Sequence, residues 1–279
     1  MAFAFCTCVE IGRRCVESLV REGNLPALLI TLADGQAEGK SGRVRLDDIA
    51  EEHGIPLARI TDVNEPAVIE ALREHRVEWL FVVGWSQIVR RELLDAGLAG
   101  LVGAHPTPLP RGRGRAPIPW TIIKGLERTA VTFFLIDEGV DSGPIIEQRP
   151  VEVAPDETSG TLYEKVARTH AAMVNDVLGR LDEGVESFRP QAHEDATYWP
   201  RRGPEDGRLV PSMTVAEADR LIRACTRPYP GAFVDRPEGR LVVWRGEPAP
   251  AGDPGAGDDP VLDFADGRIV AREWTALPA

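Results

Sequence analysis

The chain reads as an α/β protein: a Rossmann-like N-terminal domain followed by a smaller, β-barrel-like (OB-like) C-terminal domain. Three observations predict this. Its 279 residues exceed the usual size of one domain. Apolar runs of strand length alternate with helical patterns through the first half, as a parallel sheet covered on both faces requires. After residue 208 the pattern changes to short apolar runs separated by turns. The expected boundaries are 1–190 for the first domain, 191–208 for a polar linker punctuated by Pro and Gly, and 209–279 for the second.

The elements follow in order. Residues 2–9 form a strand, and Ile11, Cys15, Leu19 and Val20 then recur near helical spacing. A strand at 27–32 leads into a polar stretch at 33–43 and a helix at 46–53. A helix at 68–74 precedes the apolar strand 79–84, and 98–104 is a further strand. Residues 105–117 hold three prolines within five positions, which forbids both helix interior and central strand and makes this segment a loop. Beyond it come a helix at 118–124, a strand at 131–137, a Gly- and Asp-rich turn at 138–144, a returning strand at 145–153 and a long helix at 159–183. Thr214 caps a helix at 215–225. Strands at 231–234, 240–244, 261–264 and 268–274 complete the chain, with 247–260 an exposed loop.

Composition narrows the function. Hydrophobic residues make up 43% and charged residues 27%, ordinary for a soluble globular protein. The 44 acidic and 32 basic side chains leave a formal charge of −12, which disfavours nucleic acid as a partner. Residues 201–279 alone carry 11 Arg and no Lys against 13 Asp or Glu. Cys6, Cys8, Cys15 and Cys225 show no metal-site spacing, so no metal is expected; they read as buried small hydrophobes in a reducing compartment. The N-terminal apolar run is too short for a signal peptide or a membrane span. A cytoplasmic location is expected.

The first strand-to-helix turn, Cys8-Val9-Glu10-Ile11-Gly12, has one glycine and a carboxylate where a dinucleotide pyrophosphate would sit. That argues against a dinucleotide dehydrogenase. Of the five histidines, His53, His75, His170 and His193 read as solvated or hydrogen-bonded side chains without catalytic duty. His105 differs, because it ends a buried strand and opens the proline loop, where open α/β sheets place their ligands. Asp141 lies in the turn Asp137-Glu138-Gly139-Val140-Asp141-Ser142-Gly143-Pro144, whose glycines permit a backbone that points a carboxylate into a cleft. Taken alone, that turn could equally be a plain hairpin.

Together the loop from His105 to Pro117 and the turn from Asp137 to Pro144 resemble the 10-formyltetrahydrofolate-dependent formyltransferases. The family pattern is Asn-x-His-x-Ser-Leu-Leu-Pro, then Arg-Gly, then Asp-x-Gly-x-Asp-x-Gly. The segments Ala196-Thr197-Tyr198-Trp199-Pro200 and Pro228-Tyr229-Pro230-Gly231-Ala232-Phe233 are similar to the linker and second domain of its longer members. The resemblance implies that 10-formyltetrahydrofolate donates a formyl group to a primary amine. His105 would take the amine proton, and Asp141 would orient the imidazole and stabilise its charged form. It also implies folate contacts from the loops carrying Val83, Trp85, Gln87, Ile88 and Ile136, Asp137, Glu138, Val140. Thr107, Arg113 and Arg115 are candidate substrate contacts; the arginines would neutralise substrate phosphates or decorate a solvated loop, and glycine neighbours that expose backbone amides support anion binding.

The family asparagine two residues before the histidine, an oxyanion donor, is Gly103 here. Gln87, at the end of the preceding strand, is expected to compensate. The expected acceptor is a small-molecule amine, namely a nucleotide-linked amino sugar, since residues 112–117 and 231–244 are most similar to the enzyme that formylates UDP-aminoarabinose. The alternatives are methionyl-tRNA formylation, formyl transfer in siderophore or peptide biosynthesis, and a catalytically impaired folate-binding homologue. The C-terminal domain is left with three roles: forming a homodimer, enclosing the sugar site or binding a second ligand.

Overall fold

A computed structural model of the chain describes residues 1–36, 42–184, 188–249 and 259–278. The polar stretches expected at 33–43 and 247–260 fall in part on 37–41 and 250–258, which lie outside the described residues. Two compact units emerge, interleaved along the chain. The first holds Met1–Gly114, Thr129–Val151 and Lys165–Tyr198; the second holds Arg115–Arg128, Glu152–Glu164 and Trp199–Ala279.

In the first unit β1 (Phe3–Cys6), α1 (Glu10–Arg21), β2 (Leu28–Leu32), α2 (Asp47–His53), β3 (Leu57–Ile60), α3 (Pro66–Glu74), β4 (Trp79–Val83), α4 (Arg91–Leu94) and β5 (Gly100–His105) follow one another. Along the chain there follow β6 (Arg113–Gly114), α5 (Pro117–Ile123), which belongs to the second unit, β7 (Arg128–Leu135), β8 (Ile145–Glu152), α6 (Ser159–Asp182), whose start belongs to the second unit, and β9 (Tyr198–Trp199). The central sheet runs β3-β2-β1-β4-β5-β7-β8. Its first five strands are parallel; β2, β1, β4 and β5 are fully or largely buried, which is why they read as continuous apolar runs, whereas β3 buries only Ile60.

Two features depart from expectation. β7 pairs antiparallel with β5, setting Gly103 opposite Phe134 and His105 opposite Thr132, so the sheet is mixed rather than all parallel. β3 and α4 have no counterpart in the sequence reading, because each spans only four residues and periodicity needs a longer window. Gly12, the single glycine of the first turn, is a packing device: a Cβ there would lie 1.9 Å from Thr7 Oγ1.

In the second unit α7 (Val215–Cys225) begins at Thr214, whose hydroxyl accepts the Glu217 N–H while the Glu217 carboxylate accepts the Thr214 N–H. Its apolar face, with Ala218, Leu221 and Ile222, packs on a sheet of order β10-β11-β13-β12. These strands are Ala232–Arg236, Gly239–Ala249, Gly267–Pro278 and Val261–Phe264 respectively, and all their pairings are antiparallel. Irregularities near Arg245 interrupt the β11–β13 ladder, and the sheet curls into an open half-barrel. No helix among the described residues is long and apolar enough to cross a membrane.

Candidate active site

His105 ends β5, and its imidazole is buried. Its Nε2 lies 2.9 Å from the Gly112 carbonyl oxygen. A carbonyl only accepts, so Nε2 carries the hydrogen and Nδ1 faces Asp141, whose Oδ2 is 3.7 Å away. That separation is too long for a direct hydrogen bond, as is common before a substrate arrives. The same Oδ2 accepts the Gly114 N–H at 2.8 Å. The Gly-Arg-Gly segment at 112–114 thus touches both members of the pair through its backbone. Gly112 and Gly114 make this turn with φ of +76° and +106°, a region that side chains disfavour.

The turn around Asp141 is built differently from its sequence reading. Gly139 and Gly143 are required for space: a Cβ would lie 2.0 Å from Ser142 Oγ at the first and 1.8 Å from the Leu135 carbonyl oxygen at the second. The left-handed residue is Asp141 itself, with φ +51°. Asp137 Oδ1 accepts the Gly139 N–H and the Ser142 hydroxyl, so this carboxylate organises the turn from within.

Gly103 marks a built departure. A Cβ there would lie 2.8 Å from Phe134 Cζ and 3.1 Å from Ile136 Cγ1, so apolar side chains fill the place of the expected asparagine. Gln87 does not take over its role. Its Oε1 accepts from Val63 N–H and Trp85 Nε1–H, and its Nε2 donates to the Thr61 carbonyl. The side chain is thereby fixed to the turn after β3.

The loops expected to meet folate carry Ile88 and Val140 as exposed large apolar side chains, while Trp85 and Ile136 are half-buried. Apolar groups held open to solvent beside the strand ends suit the faces of a flat heterocycle. Val83 is fully buried, leaving only its main chain for such a role, and Glu138 pairs with Arg91 at the surface. Of the expected substrate residues, Arg115 is exposed. Arg113 and Thr107 are not: both are buried, and Arg113 is directed into the protein, so neither presents its side chain to an arriving phosphate. A cleft of about 510 Å³ elsewhere is lined by Ile146, Glu147, Gln148, Arg180 and Arg189, without His105 or Asp141.

The sequence reading missed Gln191. Expected in a passive linker, it is buried, accepts from Arg113 and donates to the carbonyls of Asp141 and Gly143. A single glutamine in a polar stretch carries no signal of this. Phe134 was read only as strand.

His170 is also buried, with Nδ1 2.8 Å from the Val166 carbonyl and its ring edge-on to Phe133. Burial, helped by repulsion from His105 and opposed by the Val166 hydrogen bond, brings its imidazole from the ordinary 6.5 down to about 4. The unfolded chain therefore takes up this proton at higher pH than the folded chain. Stability from His170 is complete above pH 6.5 and is lost as the pH falls towards 4. Replacing His170 with Phe is expected to reduce the loss of unfolding free energy between pH 7 and pH 4.5 by roughly 2 kcal/mol, measured by urea denaturation at both values.

A buried imidazole and a carboxylate at the carboxyl end of a central strand define an α/β enzyme of acid–base group transfer. The comparisons specify which. The model of the formyl transferase family matches residues 34–178, and that of its C-terminal domain matches 202–274. Methionyl-tRNA formyltransferase of Agathobacter rectalis is 32% identical over 232 residues, 82% of this chain and 74% of that protein. The Symbiobacterium thermophilum protein of the same name is 31% identical over 261 residues, covering 92% and 78%. The chain belongs to the formyl transferase family, and it is an N-formyltransferase that uses 10-formyltetrahydrofolate.

Solved structures share the fold. The N-formyltransferase from Helicobacter canadensis, determined with folinic acid and dTDP-3-aminofucose, superposes with a TM-score of 0.75 at 16% identity, covering 97% of this chain and 99% of its own. Methionyl-tRNA formyltransferase from Clostridium thermocellum gives 0.66 at 19%, covering 100% and 99%. These relatives correct the expected acceptor. The likeness to sugar N-formyltransferases is one of fold, whereas the two relatives given above at 31–32% identity are methionyl-tRNA formyltransferases. A net charge of −12 describes the whole surface, while an acceptor is selected by the residues it touches, so the charge alone does not exclude an RNA acceptor.

Proposed function

We propose that the chain formylates the amino group of methionyl-tRNA in the cytoplasm. The observation that carries this reading is the 31–32% identity, over 82–92% of the chain, to two proteins of that activity. The four cysteines, all buried and free, agree with a reducing compartment.

The loops carrying Ile88 and Val140 would hold 10-formyltetrahydrofolate, which would supply an activated formyl carbon. His105 keeps Nε2–H on the Gly112 carbonyl and offers the Nδ1 lone pair. The proton released by the attacking amine is held at Nδ1, facing Asp141, which Gly114 N–H keeps in place, and from Nδ1 it would pass to the folate nitrogen that leaves as its bond to the formyl carbon breaks. With Gly103 lacking a side chain and Gln87 engaged elsewhere, the charged His105 ring is the donor this chain can turn towards the formyl oxygen.

The test follows label from 10-formyltetrahydrofolate carrying a radioactive formyl carbon into methionyl-tRNA, with uncharged tRNA, free methionine and a nucleotide-linked amino sugar as separate acceptors. Label is expected in methionyl-tRNA, with a KM that rises with salt because phosphate contacts release counterions. Unlabelled methionyl-tRNA, whether or not a small amine accepts the group, overturns the reading.

A further inference from the structure

The largest fully buried side chain among the described residues belongs to Arg113, an arginine without a carboxylate partner among them. Its Nε and Nη2 donate to Gln191 Oε1 at 3.1 and 2.7 Å, and its Nη1 donates to the Tyr198 hydroxyl at 3.0 Å. His193 Nδ1 stands 3.4 Å from both terminal nitrogens, and the Tyr198 ring centroid is 5.8 Å from the guanidinium carbon. A buried charge surrounded by neutral partners is costly, and packing by itself does not require it.

What the arrangement does follows from hydrogen-bond chemistry. Arginine has donors only, so it fixes the Gln191 amide with oxygen towards itself and NH₂ away. That NH₂ donates to the Asp141 carbonyl at 2.9 Å and to the Gly143 carbonyl at 2.7 Å. Asp141 sits in the left-handed region, which is unfavourable for a non-glycine residue and persists only where neighbours hold it. The two residues flanking Arg113 present the Gly112 carbonyl to His105 and the Gly114 N–H to Asp141. The Arg113 N–H is itself anchored to the Thr197 carbonyl, and Gly112 N–H to the Thr197 hydroxyl.

We propose that Arg113 and Gln191 form a latch that sets the position of Asp141 against His105. Both are positioning residues, and neither touches substrate. The latch rests on the reading of His105 and Asp141 as the centre of formyl transfer, but not on which amine accepts the group.

Gln191→Glu separates a latch from a simple filler of the interior. Glutamate keeps the acceptor for Arg113 and adds an ion pair, yet it loses both donors to the turn and turns a negative charge on two carbonyls. A filler role predicts turnover at the wild-type level. The latch predicts a kcat lower by ~10–100-fold with KM for 10-formyltetrahydrofolate within ~2-fold, the signature of misplaced groups. It also predicts a changed ¹⁵N spectrum of the His105 ring in the unliganded protein, with the melting temperature held within a few degrees. Arg113→Lys, which cannot donate twice to Gln191 Oε1, is expected to move the same spectrum in the same direction and serves if the glutamate variant does not fold. Wild-type kcat together with an unchanged His105 spectrum overturns the latch. A wild-type protein that leaves methionyl-tRNA unformylated overturns the acceptor instead, and the spectrum, which needs no acceptor, still decides the latch.

Discussion

Replacing His105 with alanine lowers kcat by ~10²–10⁴-fold, the range expected when a positioned general base is removed. Binding of 10-formyltetrahydrofolate changes little, because the apolar loops at Ile88 and Val140 remain. The reason lies in the two ring nitrogens. Nε2–H is held by the Gly112 carbonyl, so in the proposed reaction Nδ1, opposite Asp141, is the nitrogen left to take the amine proton. Asp141→Asn tests the same geometry from the other side. An amide oxygen that keeps the Gly114 N–H also stands where Oδ2 stood, facing Nδ1, but without the negative charge that stabilises the protonated ring. A fall in kcat of ~10²-fold or more is expected, with unchanged melting temperature, by comparison with other triads in which the carboxylate is neutralised. Steady-state kinetics on both variants check this. Wild-type kcat in either one removes the pair from the chemistry.

Restoring the family residue by Gly103→Asn destabilises the protein by ~1–3 kcal/mol and does not raise turnover. The new Cβ would meet Phe134 Cζ at 2.8 Å, Phe134 Cε1 at 3.0 Å and Ile136 Cγ1 at 3.1 Å. Phe134 is buried and packs with Leu109, Ile145 and Ile136. Adding Phe134→Leu deletes the ring atoms nearest the new Cβ. The double variant is therefore more stable than the sum of the singles by ~1 kcal/mol or more, measured as a double-mutant cycle in urea. Simple additivity would show that the site accommodates asparagine by another route, and that Phe134 and Gly103 are not a matched pair.

Legibility differed from one residue to the next. His105 was readable because a strand end and a proline loop are local features. The helix Val215–Cys225 was readable from Thr214 and Glu217 three residues apart. The strand β3 was not, since Leu57–Ile60 alternates over only four positions, one of them exposed. The antiparallel direction of β7 was missed because a buried strand has the same composition in either orientation. Arg113 was read as an anion-binding side chain from its glycine neighbours. Those glycines turn the backbone towards His105 and Asp141 while the guanidinium points inward.

The sequence by itself determined the α/β fold class, the curled C-terminal sheet, the family and the co-substrate, because each depends on periodicity or on contiguous motifs that keep their meaning wherever the chain goes. The tertiary structure decided what surrounds the pair. Arg113 and Gln191 are 78 residues apart, and Gly103 faces Phe134 only through the pairing of β5 with β7. Such contacts arise from the sheet register and from where a linker is laid down, and neither is encoded in any short stretch of sequence.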